Sequence, residues 1–201
     1  MKATTTNLLA RALALAALAL PACHSPDEQG DRHASPYRPA SKADRNPAKA
    51  LDLNRRAAEI LAENPDSAER LLREALSQDL YCGPAHNNLG VVFLARGDLY
   101  EAASEFEWAR KLMPGHPDPR VNLGMVLERA QRVDEAIASY RAALEVTTED
   151  IGAMQALARA QVFHGREDEG TEGLLREVSV RGETEEWRSW AAGALAGGNG
   201  E

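Results

Sequence analysis

The residues able to do covalent or acid–base chemistry are few and scattered. The chain has two thiols, Cys23 and Cys82, and five histidines, His24, His33, His86, His116 and His164. A thiol attacks only as thiolate, which a neighbouring base or cation must favour. No such neighbour stands beside Cys82, so it reads as a packed side chain between helices. The histidines have no metal-ligand spacing among themselves or with cysteine, so no metal is expected. No Gly-rich phosphate loop, Ser/His/Asp set or close carboxylate pair between apolar residues occurs, and the chain reads as a non-enzyme without cofactor. What remains is binding chemistry. Asn88 and Asn122 stand 34 residues apart. A side-chain amide both donates and accepts, so a row of them can hold a peptide backbone without reading its sequence.

Cys23 has a different setting. Lys2 and Arg11 precede an uninterrupted apolar run, Ala12 to Leu20, and Leu20-Pro21-Ala22-Cys23 follows. A charged start, a short apolar centre and small residues at a cut describe a secretory signal peptide over 1–22. The run falls short of the ~20 apolar residues that span a bilayer. Leu20, Ala22 and Cys23 resemble the lipobox of bacterial lipoproteins, with Pro21 departing from it. That resemblance implies a diacylglycerol thioether on Cys23 and an acylated amine. Several acyl chains anchor stably where one does not. His24 after the cysteine, in place of Asp, points by the same analogy to the outer membrane, facing the periplasm.

Residues 23–48 contain no Leu, Ile, Val or Phe, and four acids balance four bases. Such a segment cannot bury enough apolar surface to offset its chain entropy, and it reads as a disordered tether. The net charge is −8, and −10 once Lys2 and Arg11 depart, which gives no electrostatic case for nucleic acid.

These groups need a frame. The composition is 44% hydrophobic but only 5% aromatic, and its alanine and leucine favour helix over sheet. A period organises it. Leu89-Gly90, Ala102, Phe106 and Ala109 recur 34 residues later as Leu123-Gly124, Ala136, Tyr140 and Ala143. A fixed period of this size marks a repeat array of helix pairs. The expected units are 49–82, 83–116, 117–150 and 151–184. The first carries Arg55 and Arg56 where Leu-Gly stand later, with Asp66 or Ser67 capping its second helix and Pro65 stopping the helix before. The third puts Gln131 at the turn occupied by Gly97. The fourth is degenerate but in phase, with Leu174 in the aromatic's place and Glu167, Asp168 and Glu169 opening its second helix. Trp187, Trp190, Ala191, Ala194 and Leu195 make 185–196 a capping helix, and 197–201 reads as a loose tail.

Leu89, Gly90, Phe93, Gly97, Ala102, Phe106, Ala109 and Pro114 resemble the tetratricopeptide repeat pattern in register. His86, Arg120 and Met154 stand where that family often has Trp. The resemblance implies an all-α fold, a right-handed α-solenoid whose first helices line a concave face where peptides or partner helices lie. The residues placed there are Asn87, Asn88, Val91 and Leu94, then Val121, Asn122, Met125 and Arg129, then Gln155 and Arg159. The expected function is a non-catalytic protein-interaction scaffold of the bacterial cell envelope, lipid-anchored, in an assembly or pilotin-like role. A soluble exported adaptor and a self-associating structural protein are the alternatives.

Overall fold

The computed structural model describes residues 45–197. The segment 1–22 read as a signal peptide, Cys23, His24, His33, most of the segment read as a tether and residues 198–201 of the tail lie outside the described residues. Within them every regular element is a helix: α1 Pro47–Ile60, α2 Pro65–Gln78, α3 Gly83–Arg96, α4 Leu99–Leu112, α5 Asp118–Arg129, α6 Val133–Val146, α7 Ile151–Phe163, α8 Thr171–Arg181 and α9 Glu185–Gly197. No helix among the described residues is long and apolar enough to cross a membrane.

The helix starts are written in side chains that satisfy the first unpaired backbone donors. Asn46 Oδ1 accepts from Lys49 N–H and Asn64 Oδ1 from Ser67 N–H, both at 3.0 Å. Such a cap is worth about 1 kcal/mol. Asn64, rather than Asp66 or Ser67, caps α2, and Pro65 opens that helix rather than stopping the previous one. Proline suits a first helical position because its missing N–H would have no partner there. α1 likewise begins inside the segment assigned to the tether. Asn46 N–H bonds Gln78 O at 3.0 Å, and the Arg45 guanidinium pairs with Asp79 at 2.8 Å. Two contacts to the end of α2 thus draw 45–48 into the fold.

The turns within the second, third and fourth pairs repeat one geometry. Gly97 N–H bonds Leu94 O and Asp98 N–H bonds Phe93 O; Gln131 and Arg132 do the same to Glu128 and Leu127, and Gly165 and Arg166 to Val162 and Gln161. The backbone is left-handed at all three turn residues, with φ of 87°, 62° and 60°. Helix pairs then close on an aromatic. Phe106 and Tyr140 are fully buried. A Cβ added to Gly90 would stand 2.6 Å from the Phe106 ring, and one on Gly124 would collide with Tyr140 in the same way. Only glycine lets α3 and α5 come this near. Burying each ring contributes roughly 1.5–3 kcal/mol.

α8 departs from the pattern. Residues 167–170 form the connection and the helix starts at Thr171, so Glu167, Asp168 and Glu169 precede it rather than form its first turn. Asp168 and Thr171 close that start reciprocally: Asp168 N–H donates to Thr171 Oγ1 at 2.8 Å, and Thr171 Oγ1–H to Asp168 Oδ1 at 3.2 Å. The buried stripe is Thr171, Leu175 and Val178, whereas α4 buries Ala102, Phe106 and Ala109 and α6 buries Ala136, Tyr140 and Ala143. Counted from the period, α8 is out of phase by one residue, a rotation of about 100°. Leu174 therefore does not take the aromatic's place. α9 packs on α8, and its Ala191 joins Met154, Ala158, Leu175 and Val178, with Trp187 and Trp190 at the edge.

Candidate functional site

The first helices of successive pairs touch one another directly, α1 to α3, α3 to α5 and α5 to α7, while the second helices are held apart. Elements in contact across a curved stack occupy its shorter arc, so α1, α3, α5 and α7 line the inner face.

The amides expected to form one row pair differently. Asn88 Nδ2 donates to Asn54 Oδ1 at 2.9 Å, and Asn122 Nδ2 donates to Asn87 Oδ1 at 3.0 Å. Asn88 and Asn122 are not partners. Each instead reaches back to the preceding first helix, and Asn54, unremarked at the same 34-residue spacing, completes the first pair. Each pair spends one donor hydrogen and one acceptor, which leaves the carbonyl of one amide and the amine of the other for a ligand. Val91 and Val121 are half-buried beside them, and Leu94 is buried in the core beneath. Gln155 does not belong to this surface. It is 3% exposed, and its Oε1 accepts from Glu183 N–H at 2.8 Å, tying α7 to the start of α9.

Met125, Arg129 and Arg159 do come together, around a hollow of about 340 Å³ between the C-terminal ends of α5 and α7, with Phe163 and His164. Its floor is Glu128, a buried carboxylate. The Tyr140 hydroxyl donates to Glu128 Oε2 at 3.0 Å, Arg159 Nη2 donates to the same oxygen at 2.7 Å, and His164 Nε2 lies 3.2 Å from Oε1. Burial pushes the Tyr140 phenol up, and the Glu128 charge pushes it further. Arg129 gives one donor to Leu94 O at 2.6 Å, and no carboxylate among the described residues pairs with it. The hollow thus carries a cation and two exposed apolar side chains, Met125 and Phe163.

Glu128 was not legible as a centre, because its partners are 12, 31 and 36 residues away. His86 was not either. It occupies the family's Trp position, 0% exposed, with Nδ1 2.6 Å from Glu105 Oε2 and Nε2 2.8 Å from Leu80 O. Trp108 stacks on it at 5.6 Å between centroids. The indole absent from its usual place thus returns from the second helix. Cys82 is buried and its thiol pushed up by burial, as suits a packed side chain. No group of three His, Cys, Asp or Glu able to hold a metal occurs among the described residues.

Sequence profiles described as tetratricopeptide repeat match residues 62–117 and 93–162, together half of the chain. The chain is a tetratricopeptide repeat protein. No curated protein matches it. Among solved structures, this tetratricopeptide array is similar to the first repeat domain of Spaghetti bound to the HSP90 peptide SRMEEVD, with a TM-score of 0.56 at 18% identity, covering 61% of this chain and 98% of that one. It is similar to YrrB, described as a tetratricopeptide protein with an unusual peptide-binding site, with a TM-score of 0.57 at 20% identity over 75% and 77% of the two chains. It also resembles the Thermobaculum terrenum O-GlcNAc transferase, with a TM-score of 0.60 at 25% identity over 65% of this chain but only 26% of that one. These likenesses share the helical repeat solenoid. A fold of this kind is a scaffold for protein–protein interaction, and its partner is decided by the surface it presents.

Proposed function

We propose that the protein is a non-catalytic scaffold that holds an extended peptide of a partner protein along α1, α3 and α5. The observation that carries this reading is the pair of inter-helix amide bonds, Asn88–Asn54 and Asn122–Asn87. Each fixes an amide in place and leaves a donor and an acceptor unused, which suits a peptide group. Val91, Val121 and Met125 supply apolar contact between them, and Arg129 stands at one end. Two of the similar structures have peptide binding in their descriptions, which agrees with this use of the inner face.

The same reading places the scaffold in a bacterial cell envelope, facing the periplasm and anchored through acyl chains on Cys23. Its support is the sequence around Leu20-Pro21-Ala22-Cys23. Cys23→Ser should move the protein from the membrane fraction to the soluble one, and unchanged fractionation overturns the anchor.

The binding reading is tested by photo-crosslinking in the native cell from Val91 or Met125, with Tyr100 as an outward control. The expected product is one partner crosslinked from the inner positions and lost when Asn88 and Asn122 are both changed to Leu. Equal capture from Tyr100, or capture that survives the double change, overturns it.

A further inference from the structure

The 34-residue period allows one groove of the protein to be compared with another. At the junction of the first two units the Phe93 ring, buried on α3, lies beneath Arg73 of α2, whose guanidinium carbon is 5.7 Å from the ring centroid. Two periods on, Arg73 becomes Arg141 on α6 and Phe93 becomes Gln161 on α7. The arginine is kept and the ring is gone. Between α6, α7 and α8 there is now a hollow of about 580 Å³.

Three features make this hollow a built site. Its walls are Leu157 and Leu174, with Gly170 and Gly173 on α8's side, where the one-residue rotation has turned small residues toward it. A Cβ on Gly173 would meet nothing within 4 Å. Gln161 lines it, fully buried, with its Nε2–H beside the Asp168 carboxylate and its Oε1 without a hydrogen-bond partner among the described residues. An unpaired buried acceptor costs about 1–3 kcal/mol, so a ligand that donates to Oε1 recovers part of that. Arg141 pairs with Asp168 across the mouth. The Asp168 carboxyl, which burial alone would raise, is held below its usual range by the Gly170 N–H, by the Gln161 amide standing close, and by Thr171 and Arg141. The rim also carries Glu169 and Glu177, the latter shared with Arg181.

We propose that this hollow seats an aromatic side chain of a partner protein, one with a polar tip and basic residues beside it. A tyrosine or tryptophan ring entering beneath Arg141 restores the cation–π contact that Arg73 makes with Phe93. Its hydroxyl or indole N–H bonds the Gln161 oxygen. Its basic neighbours face Glu169 and Glu177. An apolar cavity of about 150 Å³ already holds a benzene ring, so the space admits an indole. This site opens between α6 and α8, with Leu157 and Gln161 of α7 in its lining, and uses none of the residues given to the peptide face, so either can fail alone.

The test is NMR titration of the isotope-labelled full chain with N-acetyl-tryptophanamide and N-acetyl-tyrosinamide, with N-acetyl-leucinamide as control. The aromatic probes should shift the Gln161 side-chain amide, Gly170 and Gly173 in a saturable way, at least about tenfold more tightly than the leucine probe. Lys-Trp-Lys should bind several-fold more tightly than Glu-Trp-Glu. Gln161→Phe, which installs the second unit's own residue, should keep the thermal midpoint or raise it and abolish the shifts. Gly173→Leu blocks the hollow from α8 if that variant does not fold. Absence of saturable shifts at these residues, or full binding by both variants, overturns the proposal. Shifts at the same residues that grow with protein concentration alone would mean a second copy supplies the ring, and would overturn it too.

Discussion

Gln131 makes the turn from α5 to α6 with φ of 62°, the left-handed geometry that Gly97 adopts with φ of 87° one period earlier. The two positions carry the same pair of closing hydrogen bonds, so the turn is imposed by the helix pair and not by its residue. A side chain there costs roughly 1–2 kcal/mol, which glycine avoids at some cost in unfolded-state entropy. Gln131→Gly should therefore stabilise the array by about 0.5–1 kcal/mol and raise the thermal midpoint by roughly 1–4 °C. A lower midpoint would show that Gln131 has a contact outweighing the strain.

Gly90→Ala should destabilise by about 1–3 kcal/mol, because its methyl enters the space of the Phe106 ring. Phe106→Leu in the same chain should recover part of that loss, so that chemical denaturation shows strongly non-additive effects. The protein already contains the smaller pairing, with Ala158 on α7 and no aromatic opposite it on α8.

Glu128→Ala removes the acceptor of the Tyr140 hydroxyl. It should cost about 1–3 kcal/mol, the penalty of leaving a buried donor unmade. Adding Tyr140→Phe should return some of it, and urea midpoints of the two singles and the double measure the coupling. Simple additivity would show that Tyr140 and Glu128 do not depend on each other.

Glu69 gives the acid dependence a direction. Burial would raise its carboxyl, but hydrogen bonds from Arg96 and Arg73 outweigh that and hold it below its ordinary value. A folded-state value below the unfolded one adds stability at pH above the unfolded value, about 4.5, and that stability disappears as pH falls through the folded value. Glu69→Gln should lower the urea midpoint at pH 7 and make little difference at pH 3. An equal loss at both would assign the effect to packing instead of charge.

The period made the fold class readable, since Leu-Gly, the alanines and Phe106/Tyr140 mark where helices must approach. The amide partners were less so. Asn88 and Asn122 share a register, but bond partners depend on how far one helix slides along the next, which a period does not encode. Gln155 and Leu94 hold first-helix positions like those of surface residues, and tertiary contacts cover them. Glu128 and His86 gather partners from three other helices and two connections, beyond any local pattern. Gln161 could have been found, because Phe93 and Leu127 precede it at the same spacing and a buried amide in that place breaks the rule. The shift of α8 could not, because a one-residue slip in an irregular connection leaves the apolar count of the helix nearly unchanged.

That slip bears on how long such an array can grow. A copy of 83–116 spliced in after itself would meet, on each side, the face it already fits, and the stack would lengthen by one unit. A copy of 151–184 would present α8's rotated stripe to a neighbour shaped for the other phase. The pair α7/α8 therefore does not propagate the stack: lengthening belongs to the units whose second helix keeps the period.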